Sequence, residues 1–197
     1  MDYVAGFPEH PHRGFETITY MLHGQMAHKD NQGHQGIIGP GDVQWMTAGR
    51  GIIHSEMPRQ QSGRLTGLQL WLNLPAERKW SAPHYQEYTA IQLPIEQHRS
   101  GITIKVIAGK TVQGTSSPIS GIATLPLFFD ITLPRQQRLQ QHIPATHQAM
   151  LFVLSGEVII QGQVVKQGVL AILSTGESLL LQSGDKDSRC LLIAAKN

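Results

Sequence analysis

The sequence predicts an all-β protein that contains two small barrels, and three observations lead to this fold class. Short runs of β-branched, aromatic and aliphatic residues alternate apolar with polar side chains, as half-buried strands do. Turns that contain glycine, proline or aspartate separate these runs at short intervals. The same order of runs and turns returns in the second half of the chain in weaker form, which favours two barrels built on one repeat.

The first half of the chain supplies closely spaced strands and turns. Thr17 to Leu22 is rich in strand-forming residues, and Gly24 follows it as a turn residue. The polar segment His28 to Gly36 is predicted to be a loop. Val43 to Met46 follows the turn Pro40-Gly41-Asp42 and is predicted to be a further strand.

A longer strand comes late in this half. Leu65 to Leu74 alternates leucines with other residues, and this period of two places Gln69 and Trp71 on the face opposite the leucines. The segment Pro75 to Trp80 that follows is predicted to form one helical turn.

The second half carries the repeat on which the domain prediction depends. Ile102 to Ala108 and Leu125 to Leu133 are predicted strands, and Met150 to Val158 follows the pattern of Ile18 to Met26. We expect the boundary near Ala90 to Pro94. This gives an N-terminal barrel over residues 1–90 and a C-terminal barrel over residues 91–197.

Composition excludes several classes of partner. Of the 197 residues, 40% are hydrophobic and only 15% are charged, which suits a β-rich fold with a large buried surface. The formal net charge is +2 and there is no run of lysine or arginine, so we expect no direct nucleic-acid partner. There is no apolar stretch of membrane-spanning length and no signal peptide, so we expect no membrane association. A single cysteine, Cys190, excludes an internal disulfide, and a reducing cytoplasmic location is expected.

Two short motifs point to a metal site. In His10-Pro11-His12 and in His54-Ser55-Glu56, side chains two residues apart face the same way from a strand. If both strands line one barrel, three imidazoles and one carboxylate converge. Such ligands suit Fe, Ni, Mn, Co, Cu or Zn better than Ca or Mg.

The remaining histidines of the first half, and His98 just after it, are interpreted differently. A single histidine in a polar turn is more often a surface residue than a ligand. This interpretation applies to His23, His28, His34, His84 and His98.

Three longer strings sharpen the prediction, and together they resemble the pirin family of the cupin superfamily. They are His10-Pro11-His12-Arg13-Gly14-Phe15-Glu16-Thr17, Pro40-Gly41-Asp42-Val43-Gln44-Trp45-Met46-Thr47-Ala48-Gly49-Arg50-Gly51 and His54-Ser55-Glu56-Met57-Pro58. The later string Gly67-Leu68-Gln69-Leu70-Trp71-Leu72-Asn73-Leu74-Pro75 fits the same family. The resemblance implies a bicupin, with two double-stranded β-helix (jelly-roll) barrels. It also implies that the metal ligands are His10, His12, His54 and Glu56.

The resemblance also implies a function. Family members are described as iron-binding, and some bacterial members have quercetin 2,3-dioxygenase activity. We therefore expect one divalent transition metal, with Fe2+ first among the candidates. The expected reaction is oxidation of a small aromatic or enol substrate, such as a flavonol, by O2, with Glu56 as the catalytic base.

Two other functions stay open at this point. The mammalian family member is a nuclear transcriptional co-regulator, so the alternative is a non-enzymatic regulator that responds to metal or redox state and acts through a protein partner. A third possibility is metal-dependent isomerisation of a sugar or keto acid in the same site. The sequence does not separate these functions.

Two further expectations concern the C-terminal barrel and the two ends of the chain. Where the first repeat has its ligands, the second has His142 to His147 with a different spacing and Leu181-Gln182-Ser183, so we expect a barrel without metal ligands. The first motif follows only nine residues, where pirins usually have several dozen, and we expect a family member with shortened N- and C-terminal ends.

Glu16 is a ligand in many cupins but not in pirins, and here it is expected to orient a histidine.

Overall fold

The computed structural model describes residues 6–59 and 62–196, and its regular structure is almost entirely β. A short 3-10 helix, Ala76–Arg78, forms the helical turn predicted after the long strand. The chain divides into two compact units between Gln92 and Leu93. No helix among the described residues is long and apolar enough to cross a membrane.

The first unit is a jelly-roll barrel of two four-stranded antiparallel sheets. Its strands in the described part of the chain are β1 (Phe7–His12), β2 (Phe15–His23), β3 (Met26–Asp30), β4 (Gln35–Ile38), β5 (Val43–Thr47), β6 (Ile52–Pro58), β7 (Thr66–Asn73) and β8 (His84–Tyr88). The sheet orders are β1-β6-β3-β4 and β7-β2-β5-β8. The chain crosses between the two sheets repeatedly, as in a double-stranded β-helix.

The interior of the first unit mixes large apolar side chains with buried polar ones. Trp45, Met46 and Ile18 are fully buried in its wall. Several imidazoles and carboxylates are also less than a tenth exposed: His12, Glu16, His28, Asp30, His54 and Glu56. Buried polar groups are unfavourable unless they are paired, so this concentration marks the interior as a candidate functional site.

The second unit has the same architecture and a different interior. Its strands in the described residues are β9 (Ile95–Gln97), β10 (Thr103–Ala108), β11 (Leu127–Leu133), β12 (Arg138–His142), β13 (His147–Ser155), β14 (Glu157–Ile160), β15 (Gln163–Lys166), β16 (Leu170–Ile172), β17 (Ser178–Ser183) and β18 (Ser188–Lys196). They form sheets in the orders β16-β13-β18-β11-β10-β9 and β12-β17-β14-β15. A continuous apolar cluster that includes Phe129, Leu151 and Leu192 fills this unit. The all-β bicupin prediction is confirmed.

One loop prediction is wrong. The polar segment His28 to Gly36 is not a loop but most of a hairpin, in which β3 pairs with β4 and the turn lies between Asp30 and Gln35. Met26, His28 and Asp30 alternate inward along β3, so polar residues occupy interior positions of a strand. The polarity that suggested a loop belongs instead to the interior of the barrel.

Candidate metal centre

Three histidines meet at the paired strands β1 and β6. His10 and His54 are direct cross-strand partners, and His12 lies two residues further along the same face of β1. The ring centroids are 4.7 Å apart for His10 and His12, 4.5 Å for His10 and His54, and 4.9 Å for His12 and His54. One ring nitrogen from each residue lies within 4.8 Å of the other two. The predicted convergence of the three imidazoles is therefore present.

The ring of His10 is oriented with a lone pair toward the centre. Its Nδ1 lies 2.7 Å from the Pro8 carbonyl oxygen, which can only accept, so in the neutral imidazole Nδ1 carries the hydrogen. Its Nε2 is then an acceptor and lies 3.0 Å from Nε2 of His12. A backbone carbonyl that fixes the tautomer in this way is the usual partner of a metal-binding histidine.

His54 provides the strongest indication that an ion fits here. It is 1% exposed, and both of its ring nitrogens are buried without a hydrogen-bond partner among the described residues. Unpaired buried polar atoms are rare and unfavourable. A transition metal ion among the three rings would satisfy one of these nitrogens, so the residues present fit such an ion.

The protonation state of the centre suits metal binding. Burial, together with the neighbouring imidazoles, lowers the pKa of both His12 and His54 to about 4. Both rings are therefore neutral at pH 7 and their lone pairs are available, because no proton must be displaced before a metal binds.

Glu56 lies beside the three histidines with its carboxylate already held. It is 3% exposed and follows His54 by two residues on the same face of β6. Its Oε1 accepts hydrogen bonds from Thr19 Oγ1 at 3.2 Å and from Gln69 Nε2 at 3.0 Å, and Oε2 accepts from Gln69 Nε2 at 2.8 Å. The mutually close ligand atoms belong to the three histidines, and Glu56 adjoins that group as a fourth candidate.

The centre opens into an aromatic cleft of about 550 Å3. Both His12 and Glu56 line it, together with Phe15 and Trp71. The rings of Phe15 and Trp71 are stacked with centroids 4.8 Å apart, and His12 meets Trp71 edge-on at 5.3 Å. A flat aromatic molecule in this cleft would lie against the indole and next to the three histidines.

Four residues of this site were not predicted from the sequence: Phe15, Thr19, Gln69 and Trp71. For two of them the sequence carried partial information, because the period of two in β7 places Gln69 and Trp71 on one face of the strand. The sequence does not show that this face borders the three histidines.

Glu16 takes a different position from the one expected. β1 and β2 belong to different sheets, so Glu16 does not share a face with His10 and His12. Thr47 Oγ1 donates a hydrogen bond to Glu16 Oε1 at 2.6 Å, and burial raises the pKa of this carboxyl. Glu16 belongs to a separate polar group with Thr47.

The prediction of surface histidines is confirmed for two residues and wrong for His28, and the other two, His34 and His98, are partly exposed. His23 and His84 are exposed. His98 is partly buried and pairs with Glu96 at 2.8 Å. His28 is 4% exposed, and both it and His34 approach Glu87, which makes a second group of possible metal ligands.

Comparisons with known proteins agree with this description. The family model for pirin matches residues 1–72, and the model for the pirin C-terminal cupin domain matches residues 128–196. A pirin-like protein of Caulobacter vibrioides is 48% identical over 195 residues, which is 99% of this chain and 70% of that protein.

Two solved structures show the same fold. The crystal structure of quercetin 2,3-dioxygenase from Acinetobacter baumannii has a TM-score of 0.88 at 32% identity, over 97% of this chain and 68% of that one. The bacterial pirin YhhW from Escherichia coli, solved in complex with nickel(II), has a TM-score of 0.76 at 23% identity, over 97% of this chain and 76% of that one. With two family models that together match most of its length and a relative that is 48% identical over 99% of it, this chain belongs to the pirin family.

Proposed function

We propose that this chain is a metal-dependent dioxygenase of the quercetin 2,3-dioxygenase type. The observation that carries the proposal is the placement of three histidines next to a buried carboxylate at the base of an aromatic cleft. The similarity to the Acinetobacter baumannii quercetin 2,3-dioxygenase supports the same reaction class. The substrate would be a flavonol or another flat enol.

In this proposal His10, His12 and His54 hold one divalent transition metal ion, and Glu56 is the fourth ligand candidate. Imidazole nitrogens with one carboxylate suit Fe2+, our first expectation, and also Ni, Mn, Co, Cu and Zn. When bound, such an ion supplies Lewis acidity that lowers the pKa of a substrate enol and makes it electron-rich toward O2.

Glu56 would accept the enol proton. Its carboxylate is removed from water and is oriented by the Gln69 amide and the Thr19 hydroxyl, so a proton acceptor is held at the inner end of the cleft. Because both atoms of O2 enter the organic product in a dioxygenase reaction, the proposal needs no external reductant.

Trp71 and Phe15 would position the aromatic rings of the substrate. The two side chains already stack on each other, and Trp71 is 61% exposed at the cleft. A flavonol that stacks on the indole would bury this apolar surface and exclude water from the inner cleft.

The proposal is tested by oxygen uptake with quercetin on the metal-loaded protein. We expect uptake by the wild type and by His142→Ala, because His142 is exposed in the second unit and its Nδ1 contacts only the Glu177 carbonyl among the contacts described. His54→Ala should lose metal and uptake together. Absence of uptake by the fully loaded wild type with quercetin and simpler enediols would refute the dioxygenase proposal, and a regulator that acts through protein contacts would become the leading hypothesis.

A further inference from the structure

A second group of ligand atoms lies in the first unit, away from the three histidines. His28 on β3 and His34 in the β3–β4 turn both approach Glu87 on β8. Nε2 of His28 lies 3.0 Å and Nε2 of His34 lies 3.1 Å from the same carboxylate oxygen, Oε1 of Glu87. The group therefore joins side chains from both sheets of the barrel.

These spacings match those of atoms that share one ion. Imidazole and carboxylate atoms bind transition metals at about 2.0–2.2 Å, so two ligands at a right angle lie about 3 Å apart. Two histidines and one carboxylate are the ligand set of many iron and zinc sites. Although it is so close to Glu87, the buried Nε2 of His28 has no hydrogen bond among the described residues.

Local structure holds His34 in place. Oδ1 of Asp30 accepts hydrogen bonds from the backbone N–H groups of Gln32 and His34, each at 2.8 Å, and this fixes the turn. The imidazole of His34 stacks on Tyr85 with ring centroids 4.1 Å apart. The turn thus fixes the backbone of His34, and Tyr85 packs against the face of its ring.

The other two residues are also held in place. Gln44 Nε2 donates to Glu87 Oε1 at 2.6 Å and orients the carboxylate. Gly36 leaves free the space beside His28, because a Cβ at this position would lie 2.6 Å from Nε2 of His28. Burial raises the pKa of Glu87, but the His28, Gln44 and His34 side chains outweigh this effect and lower it to about 2, so the carboxylate is ionised at neutral pH.

An ion could reach this group from solvent. The side chains of Glu87 and His34 are 30% and 38% exposed, whereas that of His28 is 2% exposed. The group thus has two accessible ligands and one buried ligand.

We propose that His28, His34 and Glu87 form a second site for a divalent transition metal, independent of the three-histidine centre. The site would take a borderline ion such as Zn2+ through two imidazole nitrogens and one carboxylate oxygen. The proposal does not depend on the dioxygenase function, because it concerns different ligands. The competing explanation is a hydrogen-bonded clasp that joins the two sheets and binds no metal.

The test is the number of Zn2+ ions bound by the metal-free full chain in equilibrium dialysis. We expect about two ions for the wild type and about one for either His34→Ala or Glu87→Gln. His54→Ala should also bind about one ion, and the double variant His34→Ala/His54→Ala about none. His84→Ala is the matched control on β8, since His84 is exposed and outside both groups, and it should bind as many ions as the wild type.

Three results would overturn the proposal. They are saturation of the wild type at one ion that His54→Ala abolishes, a count for His34→Ala equal to that of the wild type, and a double variant that still binds one ion. Circular dichroism and thermal unfolding of each metal-free variant show whether it folds. His34 lies in a partly exposed turn, so His34→Ala leaves the core intact and supplies the count if Glu87→Gln does not fold. A variant that loses thermal stability while the wild type binds only one ion would identify the clasp.

Discussion

Gln69 donates its side-chain amide to both carboxylate oxygens of Glu56, at 3.0 Å to Oε1 and 2.8 Å to Oε2. The orientation of this amide is set from its other end, because Trp71 Nε1, which can only donate, lies 3.0 Å from Gln69 Oε1. A chain of hydrogen bonds thus runs from the aromatic wall of the cleft to the buried carboxylate. The cleft residue that would contact substrate also orients the group that would accept its proton.

Gln69→Leu should lower kcat and leave the metal content unchanged. The substitution removes the donors that orient Glu56 while keeping a side chain of similar length. Hydrogen bonds to charged groups contribute about 1.5–3 kcal/mol, which corresponds to roughly a 10- to 100-fold loss of rate if the full effect appears in the transition state. Steady-state oxygen uptake and elemental analysis on the same sample measure both quantities.

Trp71→Phe is the matched control for this prediction. It removes only the Nε1 donor and keeps a ring against Phe15, so we expect a smaller loss than that of Gln69→Leu. A Gln69→Leu variant with wild-type kcat would show that the orientation of Glu56 does not matter for turnover.

Glu56→Gln should retain much of the metal and lose most of the rate. An amide oxygen can still ligate, but it does not accept a proton at neutral pH, and a general base contributes roughly 10²- to 10⁴-fold. Glu16→Gln is the control, since Glu16 is a buried carboxyl of the same barrel that hydrogen-bonds Thr47 instead. The assignment of Glu56 as the base fails if Glu56→Gln and Glu16→Gln have equal oxygen uptake at equal metal content.

Stability of the metal-free chain should fall as the pH is lowered from about 6.5 toward about 4. Histidine in the unfolded chain has a pKa near 6.5, whereas His12 and His54 in the folded chain have pKa values of about 4. The unfolded state therefore binds protons first in this window, and the free energy of unfolding decreases. Burial raises the pKa of Glu87, but the His28, Gln44 and His34 side chains lower it to about 2, so its stabilising contribution is lost only below about pH 4.5.

Thermal unfolding between about pH 7 and about pH 4.5 measures this effect. His12→Ala should show a shallower decline than the wild type, because one of the two rings is gone. If the stability of His12→Ala declines with the same slope as that of the wild type, the pH dependence does not come from His12 and His54. A wild-type unfolding midpoint that does not change with pH would contradict the same explanation.

The three-histidine centre was predictable because its geometry follows from spacing. His10 and His12 share one face of β1 by the period of two, and His54 and Glu56 share one face of β6. The turns that bring these strands into one barrel also have strong local signals. Each residue's orientation is thus set by its immediate neighbours in sequence.

The second group was missed because its geometry depends on long-range pairing. Glu87 is 53 residues away from His34, and only the formation of both sheets brings them to 3.1 Å. The polarity of the segment His28 to Gly36 concealed the alternation of Met26, His28 and Asp30 along β3. Glu16 was misplaced for a related reason: Gly14, with φ of 78°, separates β1 from β2, and the face assigned to one strand does not continue onto the next.

The most direct test of the proposed reaction is isotope labelling with 18O2. The metal-loaded wild type and quercetin should give an organic product in which both atoms of one O2 molecule are incorporated, as measured by mass spectrometry, and metal-free protein or His54→Ala should give none. Consumption of quercetin without incorporation of label, or equal labelling by wild type and His54→Ala, would contradict a dioxygenase centred on His10, His12 and His54.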